Sequence, residues 1–185
     1  REALILASII EKETGRADER ARVAAVFVNR LKKKMRLQSD PTIIYGIVGG
    51  QGSLGRPISR TDIDTKTDYN TYRINGLPPG PICNPGREAI LATLNPAQTD
   101  DLYFVADGTG GHTFSSSLGA HNAAVQAWRK IERQQASTSC GSATLPSFLA
   151  RLAIISGVRR RIQTGLPRHS TTFIVPGATS EISTS

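Results

Sequence analysis

Two carboxylates stand close together in the stretch LASIIEKETGRADER, residues 6 to 20: Glu11 and Glu13. A helix turns about 100° per residue, and on that wheel Ile5, Leu6, Ile9 and Ile10 form one apolar stripe with Glu13 near its middle. Glu11 points almost the opposite way, beside Ala7 and next to Lys12, and reads as a solvated residue. A carboxyl group where a helix meets a core or a cleft has its charged form disfavoured by desolvation. That raises its pKa and lets it donate a proton near neutrality. Glu13 is therefore a candidate general acid/base. A glutamate bonded to an arginine or a backbone amide at the end of a buried helix has the same periodicity, so helix phase alone leaves both readings open.

The other reactive side chains carry less. His112 in GGHTF follows a tight turn, where a lone histidine either lines a cleft or is structural. His121, with Asn122, opens the last helical stretch, and nothing near it has metal-ligand spacing. Cys83 and Cys140 stand far apart and do not fix a redox compartment. DGTGG is a hairpin turn, too short and wrongly placed for a phosphate loop. Neither a metal nor a cofactor is expected.

The elements that must position these residues read as alternating helices and short strands. Residues 2 to 14 form an apolar-rich helix that stops near Gly15. A second helix follows Asp18 and runs to about Met35, with Val23, Phe27 and Leu31 at four-residue spacing. Its end, RLKKKMR, places cations where the helix dipole favours them. LQSDPTIIYGI reads as a turn leading into a short apolar segment, with Pro41 excluding a continuous helix. Residues 48 to 68 read as a polar, Gly-rich loop with a short turn at SRTDI, and YNTYRINGLPPGPICNPG as a second long irregular segment. PGREAILATL restarts a helix that Asn95-Pro96 closes. LYFVA, DGTGG and HTFSS spell a β-hairpin, and a last helix spans about Leu118 to Gln134. The expected fold is α+β: helices around a small antiparallel β element, with long ordered loops forming a cleft.

Length, 185 residues, suffices for one domain with a core plus a tail, and a hydrophobic content of 38% supports folding. Residues 1 to 135 hold 18 Lys+Arg and 14 Asp+Glu, net +4; residues 136 to 185 hold five Arg and one Glu, also +4, together the +8 of the chain. The excess suggests an anionic partner, yet the cations are dispersed and no nucleic-acid recognition motif appears. Two units are expected: a domain over 1–135 and a Ser/Thr-rich basic tail over 136–185, poorly ordered and without an assigned function. The chain opens at Arg1 with a helical pattern already running and no initiator Met, so it reads as part of a longer protein.

Four stretches, ASIIEKETGRADERARVAAVFVNRL, MRLQSDPTIIYG, YNTYRINGLPPGPICNPG and LYFVADGTGGHTFSSSLGAHNAAV, resemble in order the catalytic domain of the MltG (YceG-like) endolytic murein transglycosylases over about residues 3 to 134. The resemblance implies that the second acid of EKET, Glu13, is the catalytic residue, in agreement with helix phase. It implies cleavage of peptidoglycan between N-acetylmuramic acid and N-acetylglucosamine without water, leaving 1,6-anhydromuramoyl ends, with no metal or cofactor. Tyr69, Asn70 and Tyr72 would then offer ring faces and an amide to sugars, and Gln38 and Asp40 hydrogen bonds to hydroxyls, with His112 lining the cleft. Packing of YNTY on the core, and an Asx-turn at Asp40 before Pro41, are the structural alternatives. The family further implies an N-terminal membrane anchor and a LysM-like region preceding this domain. With them go a place at the bacterial inner membrane, the catalytic domain on its extracytoplasmic side, and cell-wall synthases as partners. A hydrolysing muramidase, with Asp40 or another acid as second carboxylate, is the competing enzymatic reading. A basic nucleic-acid-binding domain is the non-enzymatic one.

Overall fold

Apolar residues at helical spacing build the core from helices distant in sequence. The computed structural model of the chain describes residues 1–138. In it α1 (Glu2–Glu13), α2 (Arg20–Lys32) and α5 (Arg87–Leu94) pack together through Ile9, Ile10, Val23, Phe27 and Ala89, all fully buried. Fully buried Ala7, Ala24 and Ala89 carry side chains small enough to let the helix backbones approach closely. The hairpin of β1 (Tyr103–Ala106) and β2 (His112–Ser115) is antiparallel, with Tyr103 opposite Ser115 and Ala106 opposite His112. Alternation along β1 sends Phe104 into the main core, edge-on to Phe27 at 6.0 Å, and Val105 to the other side. There Val105 meets Val125 and Trp128 of α6 (Leu118–Thr138), so both faces of the two-stranded sheet are covered. The architecture is α+β.

Two segments read as non-helical are helices. Pro41 does not exclude α3 (Asp40–Val48) but begins it: proline in the first turn has no helical hydrogen bond to lose. Gly49, at φ 62°, supplies the left-handed residue that ends it. The turn expected at SRTDI is α4 (Arg60–Asp64), whose N-terminus is closed by a reciprocal capping box between Ser59 and Asp62. Arg56 pairs with Asp62 at 2.5 Å and, with the Ser59 bonds, holds that carboxyl well below the usual carboxylate range. From Lys66 to Gly86 the backbone is irregular and its shape is fixed by side chains. The far end of that segment is pinned to α1, where Ser8 Oγ accepts the Ile82 N–H at 3.0 Å.

The last helix continues to Thr138, three residues past where composition marks the start of the tail. The rest of the expected tail, 139–185, lies outside the described residues.

Candidate active site

Glu13 is the last residue of α1, and its side chain continues the buried stripe of Ile5, Leu6, Ile9 and Ile10. Only 6% of it is exposed. The chain turns extended at Thr14, whose hydroxyl accepts the Arg16 N–H at 3.0 Å and so fixes the exit from the helix. Ser39 Oγ donates to Glu13 Oε1 at 2.5 Å. Burial pushes the Glu13 pKa up from 4.5 to about 8; the Ser39 hydrogen bond opposes the shift, the Asp40 charge adds to it, and the Arg30 charge opposes it.

Ser39 reaches Glu13 because the preceding backbone is held in an uncommon shape. Gln38 is a non-glycine residue at φ 54°, in the left-handed region. Arg30 Nη1 donates to the Leu37 carbonyl at 2.9 Å, to the Arg36 carbonyl at 3.3 Å and to Gln38 Oε1 at 3.4 Å. On the other side Thr71 accepts the Ser39 N–H at 2.9 Å and its carbonyl accepts the Gln38 N–H at 3.2 Å. Thr42 Oγ1 lies 2.8 Å from Thr71 Oγ1 and donates to the Ser39 carbonyl at 2.6 Å. The QSDPT and YNTY segments are thus stitched into one network around the Glu13 carboxyl. One residue further along each, the Tyr72 hydroxyl donates to Asp40 Oδ1 at 2.6 Å. Burial raises the Asp40 pKa to about 6, against the lowering effect of that hydrogen bond.

Four of the expected site residues therefore share a neighbourhood: Glu13, Gln38, Asp40 and Tyr72. Tyr69 is half-buried and packs its ring on Tyr45, centroids 4.7 Å apart. Asn70 is buried and turned inward: its amide nitrogen lies 2.6–3.3 Å from the carbonyls of Asp62, Ile63 and Thr65, and its Oδ1 accepts the Tyr72 N–H at 3.0 Å. Its polar atoms clasp the loop to α4. His112 belongs to a different cluster, where Glu19 accepts from its backbone N–H at 3.0 Å and pairs with Nδ1 at 2.6 Å between the rings of Phe104 and Phe114. Glu11 is not merely solvated: half-buried, it accepts the N–H of Gly86, the residue that opens α5.

Ser39, Arg30, Thr42 and Thr71 of this network were not singled out from the sequence. Ser39 is 26 residues from Glu13, and the only local signal was its place between Gln38 and Asp40. Arg30 stands among the cations of RLKKKMR at the end of α2, yet it is fully buried. The available signal was phase, since Val23, Phe27 and Arg30 follow i, i+4, i+7 and share one helix face. Burial holds the Arg30 pKa below its ordinary value, while the neighbouring tyrosines and Glu13 favour its charge.

A buried carboxyl that keeps its proton at neutrality, bonded through one oxygen to a fixed hydroxyl, can serve as a general acid and, once ionised, as a base. Among the described residues no three His, Cys, Asp or Glu side chains gather as a metal ion requires. No described helix is long and apolar enough to cross a membrane. A cavity of about 520 Å³ between α1 and the Gly76–Pro78 stretch, lined by Ile5, Leu31 and Leu77, contains none of these residues. The chemistry is therefore located by the carboxyl and not by that cavity.

The chain is similar to known proteins of one family. Residues 1–127 match the sequence profile of the YceG-like family. An endolytic murein transglycosylase of Bacillus subtilis (strain 168) is 42% identical over 123 residues, covering 66% of this chain and 33% of that protein. One from Streptococcus pneumoniae (strain D39) is 43% identical over 118 residues, covering 61% and 21%. The chain thus spans a third or less of the length of these relatives. The crystal structure of a YceG-like protein from Listeria monocytogenes superposes with a TM-score of 0.60 at 43% identity, over 65% of this chain and 38% of that one. With the profile covering more than two thirds of its length, this chain belongs to the YceG-like family.

Proposed function

We propose that the chain carries the catalytic domain of an endolytic peptidoglycan lytic transglycosylase, with Glu13 as its single acid/base. The observation that carries the reading is the buried Glu13 carboxyl, pushed up to about 8 and hydrogen-bonded by Ser39. The names of the Bacillus and Streptococcus relatives support the substrate, peptidoglycan.

Protonated Glu13 donates its proton to the glycosidic oxygen between N-acetylmuramic acid and N-acetylglucosamine. The bond from that oxygen to the muramoyl anomeric carbon breaks, and the electron pair leaves with the N-acetylglucosamine hydroxyl. The muramoyl 6-hydroxyl oxygen then closes onto the anomeric carbon, and its proton returns to the Glu13 carboxylate. The product is a 1,6-anhydromuramoyl end, no water is consumed, and the enzyme regains its starting protonation state. A single group serves both steps only if its pKa lies near the working pH. Ser39 holds one carboxyl oxygen and leaves the other for the proton. Tyr69, Tyr72, Gln38 and Asp40 border the glycan, and Asn70 acts through the loop it clasps. The membrane anchor, extracytoplasmic placement and synthase partners of the family belong to the same reading.

Asp40, a second carboxyl whose charge acts on Glu13, gives the hydrolytic reading its one specific support. Mass analysis of the products separates the two. Digestion of purified peptidoglycan should give muramoyl ends one water lighter than reducing ends. Reducing ends as the main product would replace the transglycosylase with a muramidase. Glu13→Gln should lower cleavage by about 10²–10⁴-fold, the usual worth of general acid/base catalysis. Near wild-type cleavage by that variant would remove Glu13 from the mechanism.

A further inference from the structure

The site holds two buried carboxyl groups, and the mechanism uses the proton of only one. We propose that the Tyr72 hydroxyl decides which: by donating to Asp40 it keeps that group an anion and thereby keeps the proton on Glu13. Tyr72 and Asp40 are then positioning residues that act through Glu13, and this role in catalysis rests on the transglycosylase reading above.

The geometry gives each carboxyl one hydroxyl donor. Asp40 accepts from the Tyr72 hydroxyl at 2.6 Å, and Glu13 accepts from the Ser39 hydroxyl at 2.5 Å. A hydrogen bond to a carboxylate is roughly twice as strong as one to a neutral acceptor, so each donor favours the charged form of its own partner. Glu13 is the more deeply buried of the two, and for it desolvation outweighs the Ser39 bond. Neighbouring buried carboxylates resist ionising together, so a charge on one strengthens the hold of the other on its proton. The groups that act on Glu13 are Ser39 and Asp40, ahead of and at the start of α3, and Arg30 of α2, while Tyr72 of the irregular segment meets Asp40. α5, which also packs on α1, turns its charged residues Arg87 and Glu88 to solvent. Burial and the neighbouring Asp40 and Glu13 charges push the Tyr72 pKa upward, so the phenol keeps its proton and can donate it to an Asp40 carboxylate. Between about 6 and about 8 the pair therefore holds one proton, on Glu13.

The test is carboxyl titration of the whole 185-residue chain, with ¹³C in the glutamate and aspartate side-chain carboxyls, for wild type, Tyr72→Phe, Asp40→Asn and the double variant. In wild type Asp40 should titrate before Glu13 as pH rises. Tyr72→Phe should move Asp40 up and Glu13 down, the latter by roughly half to one pH unit, as expected for loss of a neighbouring like charge. Asp40→Asn should lower Glu13 at least as far, and adding Tyr72→Phe to it should lower Glu13 no further. In peptidoglycan cleavage, the alkaline limb of kcat/KM should move to lower pH in the same order. Glu13 titrating before Asp40 in wild type overturns the proposal, as does an equal effect of Tyr72→Phe with and without Asp40. Should Tyr72→Phe fail to fold, the wild-type order and the Asp40→Asn shift still decide it. The titration needs no substrate, so it can fail while peptidoglycan cleavage stands, and it can succeed where cleavage is absent.

Discussion

Glu13 keeps its proton because burial leaves its charge with one hydroxyl donor where water offered several, and that has a consequence for stability. In the unfolded chain the group titrates near 4.5; in the folded chain burial raises it to about 8. Between those values the unfolded chain has released a proton that the folded chain retains. Stability contributed by this group is therefore fully present below about 4.5, falls as pH rises, and is lost by about 8. The slope is at most about 1.4 kcal/mol per pH unit for one proton. Asp40 adds a slope of the same sign over the lower window, from 3.8 to about 6. Glu13→Gln removes the first contribution and leaves the second. Denaturant unfolding should thus show the variant gaining on wild type steadily from about pH 5 to pH 8. A stability difference that stays constant over that range would mean that Glu13 is ionised in the folded protein.

At the scale of elements, the irregular segment that carries YNTY depends on Asn70 as much as a helix depends on its cap. Its amide gathers the carbonyls of Asp62, Ile63 and Thr65 at the end of α4, so Asn70→Ala leaves buried acceptors unsatisfied. The expected loss is about 2 kcal/mol in urea unfolding, with faster amide exchange confined to α4 and the segment after it. Unchanged stability with weakened glycan affinity would return Asn70 to direct sugar contact. Ser59→Ala, which removes one half of the capping box, should lose about 1 kcal/mol without affecting cleavage. These elements also show where sequence was informative. Strong periodicity placed α1, α2, α5, the hairpin and α6, and helix phase chose Glu13 over Glu11, because burial repeats at the period of the element. α3 was hidden by Pro41, which breaks a helix interior but suits a first turn. α4 is five residues long, too short for a period to register, and its signal was the cap Ser59 with Asp62 three residues later. Asn70, Ser39 and Thr71 could not be assigned partners, since hydrogen bonds between irregular segments leave no repeat in the sequence.

On the scale of the whole molecule, Arg30 is the joint between the layers. One guanidinium, fully buried in the packed face of α2, donates through Nε to the Leu102 carbonyl at 2.6 Å, just ahead of β1, and through Nη1 to the Arg36 and Leu37 carbonyls of the segment that presents Ser39. It also lies over the Tyr103 ring, 5.1 Å from its centre, while His121 of α6 stacks on that ring at 5.0 Å. The helical core, the hairpin layer and the Glu13 carboxyl are thereby referred to a single planar group. Such a role suits arginine, whose donors diverge in a rigid fork, and not lysine, whose charge is a point on a flexible stem. Arg30→Lys keeps the positive charge that acts on Glu13 yet cannot reach both backbone sites at once. Thermal and urea unfolding should show a loss on the order of 3 kcal/mol, as charged hydrogen bonds in a buried site are broken. Cleavage at a temperature where the variant is folded should fall mainly in kcat, because Ser39 loses its fixed approach to the carboxyl while the tyrosines bordering the glycan stay in place. If Arg30→Lys loses stability but keeps wild-type kcat, Arg30 is a structural joint alone, and the Ser39 segment is held well enough by Thr71 and Thr42.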